Sequence, residues 1–179
     1  MNVVCLETER LELIPLAEKF ADEMYDGLQS SVIYRYIVDS APPSREWLRE
    51  RYRHLATGRS PDSSELWLNW LLREKMTGRF VGHVQATVKG GSASVAYLLF
   101  SKEWGGGFAQ EAVARMLLSL ERDYGVQEFI ATVHVGNQRS IRLLERLSFT
   151  RRSFTKNAEI IRGKPTDEYR YTLTRPVSS

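Results

Sequence analysis

The run Ala96-Tyr97-Leu98-Leu99-Phe100-Ser101-Lys102-Glu103-Trp104-Gly105-Gly106-Gly107-Phe108-Ala109-Gln110-Glu111-Ala112 decides how this chain folds. Its first residues continue a strand-like stretch, Ala93 to Phe100, and its last open a helix from about Gly107 to Tyr124. That helix carries Ala109, Ala112, Val113, Met116, Leu117, Leu120 and Tyr124 on one broad face, and Gly125 suits its exit. Between strand and helix, Gly105-Gly106-Gly107 brings backbone N–H groups together at the positive end of a helix dipole, a place that favours an anion. Glycines allow close backbone approach and positive φ. Glu111, in the first turn, would repel an anion if it pointed inward, so it is expected to turn sideways and either pack or pair.

Several phosphate-binding readings of the loop compete. A Walker loop requires Lys-Ser or Lys-Thr after the last glycine, and Phe108-Ala109 stands there. A dinucleotide fingerprint beginning at Gly105 and Gly107 has Gln110 where its third glycine belongs, and the preceding elements read as antiparallel. The plain alternative is a turn that merely joins strand to helix. The surrounding sequence has to choose.

Upstream, Arg10 to Leu16 alternates like a short strand ending near Pro15, and Ala17 to about Leu28 carries Phe20, Met24 and Leu28 at helical spacing. Ser30 to Ser40 reads as a short helix or a lid. Ser44, after Pro42-Pro43, offers an N-cap for a helix through about Ala56. Three strands follow a loop over 57–64: Glu65 to Arg73, Arg79 to Val88 and Ala93 to Phe100, an antiparallel meander. Downstream of the glycine helix come a strand from Glu128 to Val135, a helix from Gln138 to Leu147, and closing strands at about Ala158 to Arg162 and Asp167 to Thr174.

The 179 residues fit one domain, 1–179, with a packed core. Twenty-five Lys plus Arg against twenty-two Asp plus Glu leave +3, too slight and interspersed for a nucleic-acid-binding stripe. A lone Cys5 excludes an intramolecular disulfide and a multi-cysteine metal site. With neither a signal-peptide pattern nor an apolar run of membrane-spanning length, the expected location is cytoplasmic, with no membrane partner.

The quoted run resembles the acetyl-CoA motif of the GNAT N-acetyltransferase superfamily, and is most similar to its ribosomal-protein N-terminal acetyltransferase branch, whose pattern Trp104 through Ala112 reproduce. Asn137-Gln138-Arg139-Ser140-Ile141 through Phe149 resembles the family's Asn-x-x-Ser element and its helix, and Thr8-Glu9-Arg10-Leu11 resembles the branch's opening strand. The resemblance implies a GNAT fold of the α/β (α+β) class: a mixed, mostly antiparallel six- to seven-stranded sheet flanked by helices and splayed between its two central strands. It implies acetyl-CoA as co-substrate without a metal, held by Leu98, Leu99, Phe100, Lys102, Trp104, Gly105, Gly106, Gly107, Phe108, Ala109, Asn137 and Ser140. Backbone groups of Leu98 to Phe100 would pair with the pantetheine amides like an added strand. Three departures stand out: Lys102 replaces the usual Gln or Arg before the loop, Ser148 replaces a glycine, and Ser94 stands where many members carry a glutamate base.

N-acylation needs an uncharged amine, a polarised thioester carbonyl and a proton for the departing thiolate. A backbone N–H near Leu98 or Leu99 would polarise the carbonyl. By resemblance Ser140 protonates the thiolate, with Asn137 holding the co-substrate or, more plainly, capping the helix. For the base, His83, on a central strand with Gln85 two residues on, and His134 are candidates because imidazole titrates near neutrality; Glu168 and Asp167 are carboxylate alternatives. Trp47, Tyr52, Trp67, Trp70 and residues 32–37 either line an acceptor pocket or belong to the core. The implied partner is a primary amine, a protein N-terminus or a small molecule, and the chain a monomer or homodimer. A non-catalytic acyl-CoA-binding sensor is the alternative that Ser94 leaves open.

Overall fold

The computed structural model describes residues 3–175; residues 1–2 and 176–179 lie outside the described part. Its first elements are β1 (Leu6–Glu7) and β2 (Leu11–Pro15). The stretch expected to be one helix to Leu28 is broken into a 3-10 turn at Glu18–Phe20, α1 (Ala21–Tyr25) and a second 3-10 turn at Asp26–Gln29. Local packing fits the break, because Gly27 lies directly against the buried Phe100 ring where any Cβ would collide with it. The ambiguous segment contains a third 3-10 turn, Ser31–Tyr34, and the Tyr34 hydroxyl donates to the Leu28 carbonyl at 2.9 Å.

Then comes α2 (Arg45–Leu55), capped as the sequence implies by Ser44, whose hydroxyl accepts from the Trp47 N–H at 3.1 Å. The meander is β3 (Leu66–Glu74), β4 (Phe80–Lys89) and β5 (Ser92–Leu99). Beyond the glycine loop lie α3 (Phe108–Tyr124), β6 (Glu128–His134), α4 (Gln138–Arg146), β7 (Thr150–Ile161) and β8 (Lys164–Thr174).

Among the described residues the sheet has eight strands in the order β1-β2-β3-β4-β5-β6-β8-β7, not six or seven. The additional strand is two-residue β1, too short to show alternation. β7 is also longer than its sequence suggests. Its face pattern is almost wholly exposed, so period-2 hydrophobicity is missing, and pairing along β8 defines it instead.

Among the described residues only β5 and β6 run parallel, and they pair only where Ser92–Ser94 meets Glu128–Ile130. Beyond Ser94 the two strands part. This is the splay expected from the sequence, and it opens at the sheet's centre.

One face of the sheet carries Trp70, Val84, Ala86, Val95 and Leu99 against Ala112, Val113, Met116 and Leu120 of α3 and Ile141 and Leu144 of α4. Each Val, Leu, Ile or Met side chain among them contributes roughly 1.5–3 kcal/mol on burial. The other face holds a smaller cluster, Met24, Leu28, Leu48, Tyr52, Leu71, Phe80 and Phe100, under α1 and α2. Trp70 therefore belongs to the main core, with its indole N–H donating to the Val4 carbonyl at 2.8 Å. It is not a pocket residue.

Candidate active site

The glycine loop enters α3 with Gly105 at φ +88° and Gly107 at φ +82°, conformations that L side chains rarely adopt. A Cβ on Gly105 would point into open space. The first amides of α3 have no intrahelical acceptor, and the first helical bond here is Glu111 N–H to the Gly107 carbonyl at 3.1 Å. Glu111 turns away from this cluster of donors. Arg10 binds it through the backbone N–H at 2.9 Å and the guanidinium at 2.7 Å, while another guanidinium nitrogen donates to the Gly106 carbonyl at 2.8 Å. Desolvation pushes the Glu111 carboxyl up, but hydrogen bonds from Thr8 and Arg10, with the Arg10 charge, outweigh it and leave the group lowered. Arg10 also lies over the Phe108 ring, 4.6 Å from its centroid. Arg10, in the bend just before β2 and 101 positions upstream of Glu111, thus braces the loop and draws the Glu111 carboxylate aside.

On the other rim, the Trp104 indole N–H donates to the Leu99 carbonyl at 3.1 Å, and the Arg139 guanidinium sits 4.3 Å from the Trp104 ring centroid. Lys102 is largely exposed beside Glu103 at 4.0 Å. A pyrophosphate fits this arrangement of bare backbone, unpaired amides and flanking cations.

At the mouth of the splay the strands' hydrogen-bonding sides matter. Phe100 N–H donates to the Val81 carbonyl at 2.9 Å, and Leu98 lies opposite His83 in the same register. Antiparallel alternation therefore turns the Leu98 and Phe100 backbone groups toward β4, and those of Tyr97 and Leu99 toward the splay. The backbone donor anticipated near Leu98 or Leu99 is that of Leu99. The Leu98 amide is spent within the sheet.

Tyr97 was not among the residues singled out from sequence. Its hydroxyl stands 2.6 Å from Ser140 Oγ, bridging β5 to the first turn of α4 across the splay. Burial pushes the phenol up to about 12, against the opposing pull of its bond with Ser140. Asn137 is the N-cap, its side-chain oxygen accepting from the Ser140 N–H at 3.3 Å. The capping reading of Asn137 is therefore the geometry present.

On the opposite sheet face, β3 and β4 set Asn69 beside Gln85 and Leu71 beside His83, and β5 continues the row with Ala96 and Leu98. Asn69, His83, Gln85, Ala96 and Leu98 floor a cavity of about 180 Å³ walled by Tyr34, Trp47, Leu48, Arg51 and Tyr52. Surrounding protein lowers His83 to about 4 by desolvation, with Asp39 opposing and Arg51 adding to the effect. That suits a neutral hydrogen-bonding ring better than the near-neutral base expected from sequence.

His134 lies elsewhere, at the end of β6, its ring 5.0 Å from that of Tyr36. Its Nδ1 accepts from the Gly136 N–H at 2.9 Å, which leaves Nε2 carrying the proton in the neutral ring. His134 therefore presents a donor rather than a free lone pair. Its partner across β8 is Glu168, raised by burial and by repulsion from Glu159. Asp167 is engaged, accepting from the Asn157 N–H at 2.9 Å. The structure thus brings Ser140 to Tyr97 and His134 to Glu168, and sets His83 apart in the cavity floor.

Among the described residues there is no cluster of potential metal ligands and no helix long and apolar enough to cross a membrane.

The comparisons with known proteins agree with this geometry. A family model described as "Acetyltransferase (GNAT) domain" matches residues 10–150. The uncharacterized N-acetyltransferase YoaA of Bacillus subtilis is 21% identical over 174 residues, covering 96% of this chain and 97% of its own. Among solved structures, RimL, a ribosomal L7/L12 alpha-N-protein acetyltransferase in complex with coenzyme A, superposes with a TM-score of 0.85 at 17% identity, covering 96% of this chain and 98% of its own. A GNAT-family acetyltransferase from Bacillus anthracis gives a TM-score of 0.80 at 19% identity, covering 96% and 98%. The braced glycine loop, the parted central strands and the family match together place this chain in the GNAT acetyltransferase family.

Proposed function

We propose that this chain, read as one domain, transfers an acetyl group from acetyl-CoA to a primary amine held in the cavity under α2. The carrying observation is the splay between β5 and β6. It opens onto the unpaired amides at the start of α3 and onto the Tyr97–Ser140 pair, and the acceptor cavity lies on the sheet's opposite face. Acetyl-CoA supplies the activated acyl group and a thiolate leaving group.

In this reading Gly105 to Ala109 hold the pyrophosphate through backbone N–H groups, with Lys102 and Arg139 nearby as cations. The Leu99 N–H, turned to the splay, stabilises the carbonyl oxygen as charge develops. Tyr97, kept protonated by burial, donates to Ser140 Oγ, which frees the serine proton for the departing sulfur. Glu168, with its raised carboxyl, takes the proton released from the amine, and His134 stands beside it as a donor. The ribosomal-protein acetyltransferases among the structural neighbours make a protein N-terminus or a small amine the acceptor to try first.

Thermal shifts with CoA, acetyl-CoA and ATP test the site, and thiol release over amines and short peptides tests the reaction. Stabilisation by CoA together with amine-dependent release supports the proposal; stabilisation by ATP without CoA overturns it.

A further inference from the structure

The floor of the acceptor cavity contains an imbalance that the transfer chemistry does not explain. Asn69, His83 and Gln85 are polar side chains on one sheet face, set by the pairings Asn69 with Gln85 and His83 with Leu71 and Leu98. All three line the cavity. Apart from Asp39, Ser40 and Arg51, the other walls are apolar or aromatic, including Leu28, Leu48 and Tyr52. Among the described residues, none of these three side chains has a hydrogen-bond partner, and the causes of the His83 shift are desolvation and distant charges only. Asn69 is nonetheless 9% exposed, largely withdrawn from solvent. The polar atoms of these three side chains are not sealed off, since among the described residues the buried side-chain atom left without a partner is Arg73 Nε; they face the open cavity, whereas an apolar residue at position 69 or 83 would extend the adjacent core.

Only the rim brings charge to the cavity. Asp39 and Arg51 pair with one another there at 3.9 Å, both well exposed. The floor offers amide donors and acceptors and a neutral imidazole, which carries one of each. A charged tail placed against it would be left without a counter-ion, at high cost. A neutral group that both donates and accepts would satisfy it. The cavity of about 180 Å³ suits a short group over a bulky one.

We infer that the acceptor is a short primary amine bearing a neutral amide or hydroxyl group, recognised by Asn69, His83 and Gln85. This rests on the proposed acetyl transfer for the amine's role, but the recognition itself does not require turnover. A site that hydrogen-bonds a substrate group rejects the isostere lacking it by far more than a methylene's worth. The expected preference is about 10²- to 10⁴-fold in kcat/KM.

The test compares glycinamide and serinamide with propylamine, butylamine and 1,4-diaminobutane. Binding is measured by calorimetry on CoA-saturated protein, and turnover by thiol release from acetyl-CoA. Gln85 is exposed at the cavity edge, so Gln85→Met tests recognition with little risk to folding, and Asn69→Leu tests the buried position. The inference is supported if the amides bind and react preferentially and either substitution shrinks the preference at least about tenfold. Equal handling of amides and alkylamines, or preference for the diamine, overturns it while leaving the transferase reading intact. Preferential binding of the amides without thiol release supports the recognition site and overturns the transferase reading. No binding of any member overturns the inference.

Discussion

The hydroxyls of Tyr97 and Ser140, contributed by strand and helix on opposite sides of the splay, lie 2.6 Å apart. Because burial holds the phenol up to about 12, Tyr97 stays protonated across the working range; the bond between the two hydroxyls can run either way, and the proposed mechanism uses the direction in which Tyr97 donates. A lone serine hydroxyl is a poor proton source, whereas one whose oxygen accepts from a phenol is polarised toward giving up its own hydrogen.

Ser140→Ala is therefore expected to lower kcat about 10²- to 10⁴-fold, the usual contribution of a positioned acid, with little change in CoA affinity. Tyr97→Phe keeps the ring and is expected to give a smaller loss, on the order of tenfold. Steady-state rates and CoA titration on both variants check this. Equal CoA weakening and rate loss would show that the pair merely shapes the splay.

Arg10 holds the Glu111 carboxylate at 2.6 Å, and its removal releases a negative charge next to the anion site. Arg10→Ala is expected to weaken CoA binding about tenfold, in the range of a charge at a helix terminus, and Arg10→Ala with Glu111→Gln to recover part of it. The pairing lowers the Glu111 carboxyl in the folded chain, so its stabilisation is present above the ordinary carboxylate value and fades as pH falls through the lowered one. Thermal midpoints against pH for wild type and Glu111→Gln are expected to converge in acid.

His83 makes a separate acid-sensitive contribution. The folded chain holds it near 4, against an ordinary 6.5, so between those values the unfolded chain binds a proton that the folded chain refuses. Stability falls as pH drops from about 6.5 toward 4 and levels off below. His83→Gln lacks this component, and denaturant titrations at pH 7 and 5 on both proteins measure the difference.

Gly82 lies opposite Leu99, and a Cβ there would run into the Leu98 carbonyl oxygen and stand 2.8 Å from Leu99 Cα. Gly82→Ala is expected to cost about 1–3 kcal/mol as overpacking and to shift the splay-facing Leu99 amide, lowering kcat as well as the unfolding midpoint. A fall in midpoint with kcat intact would separate the sheet from the proposed role of that amide.

The glycine loop, its helix and the meander were legible in the sequence because each rests on local pattern: Gly105 to Gly107 before an apolar stripe, then alternation between turns; the splay was expected only through the resemblance carried by the run from Ala96 to Ala112. Asn137 and Ser44 were legible as caps for the same reason. The broken helix near Gly27 was not, since Phe100, the ring that meets it, is far along the chain. The Arg10–Glu111 brace and the Tyr97–Ser140 bond join residues 101 and 43 positions apart, and no periodicity records such a meeting. The histidines were legible as residue types, but not their surroundings. His83 is depressed by its surroundings, and His134 spends its acceptor nitrogen on Gly136.

The most direct measurement is acceptor-dependent thiol release from acetyl-CoA, with the acetylated amine identified by mass, for wild type and Ser140→Ala side by side. Saturable release that requires the amine, yields one acetylated product and falls at least about a hundredfold in Ser140→Ala is the predicted result. Tight acetyl-CoA binding with no amine-dependent release for any acceptor, or release unaffected by Ser140→Ala, would contradict it.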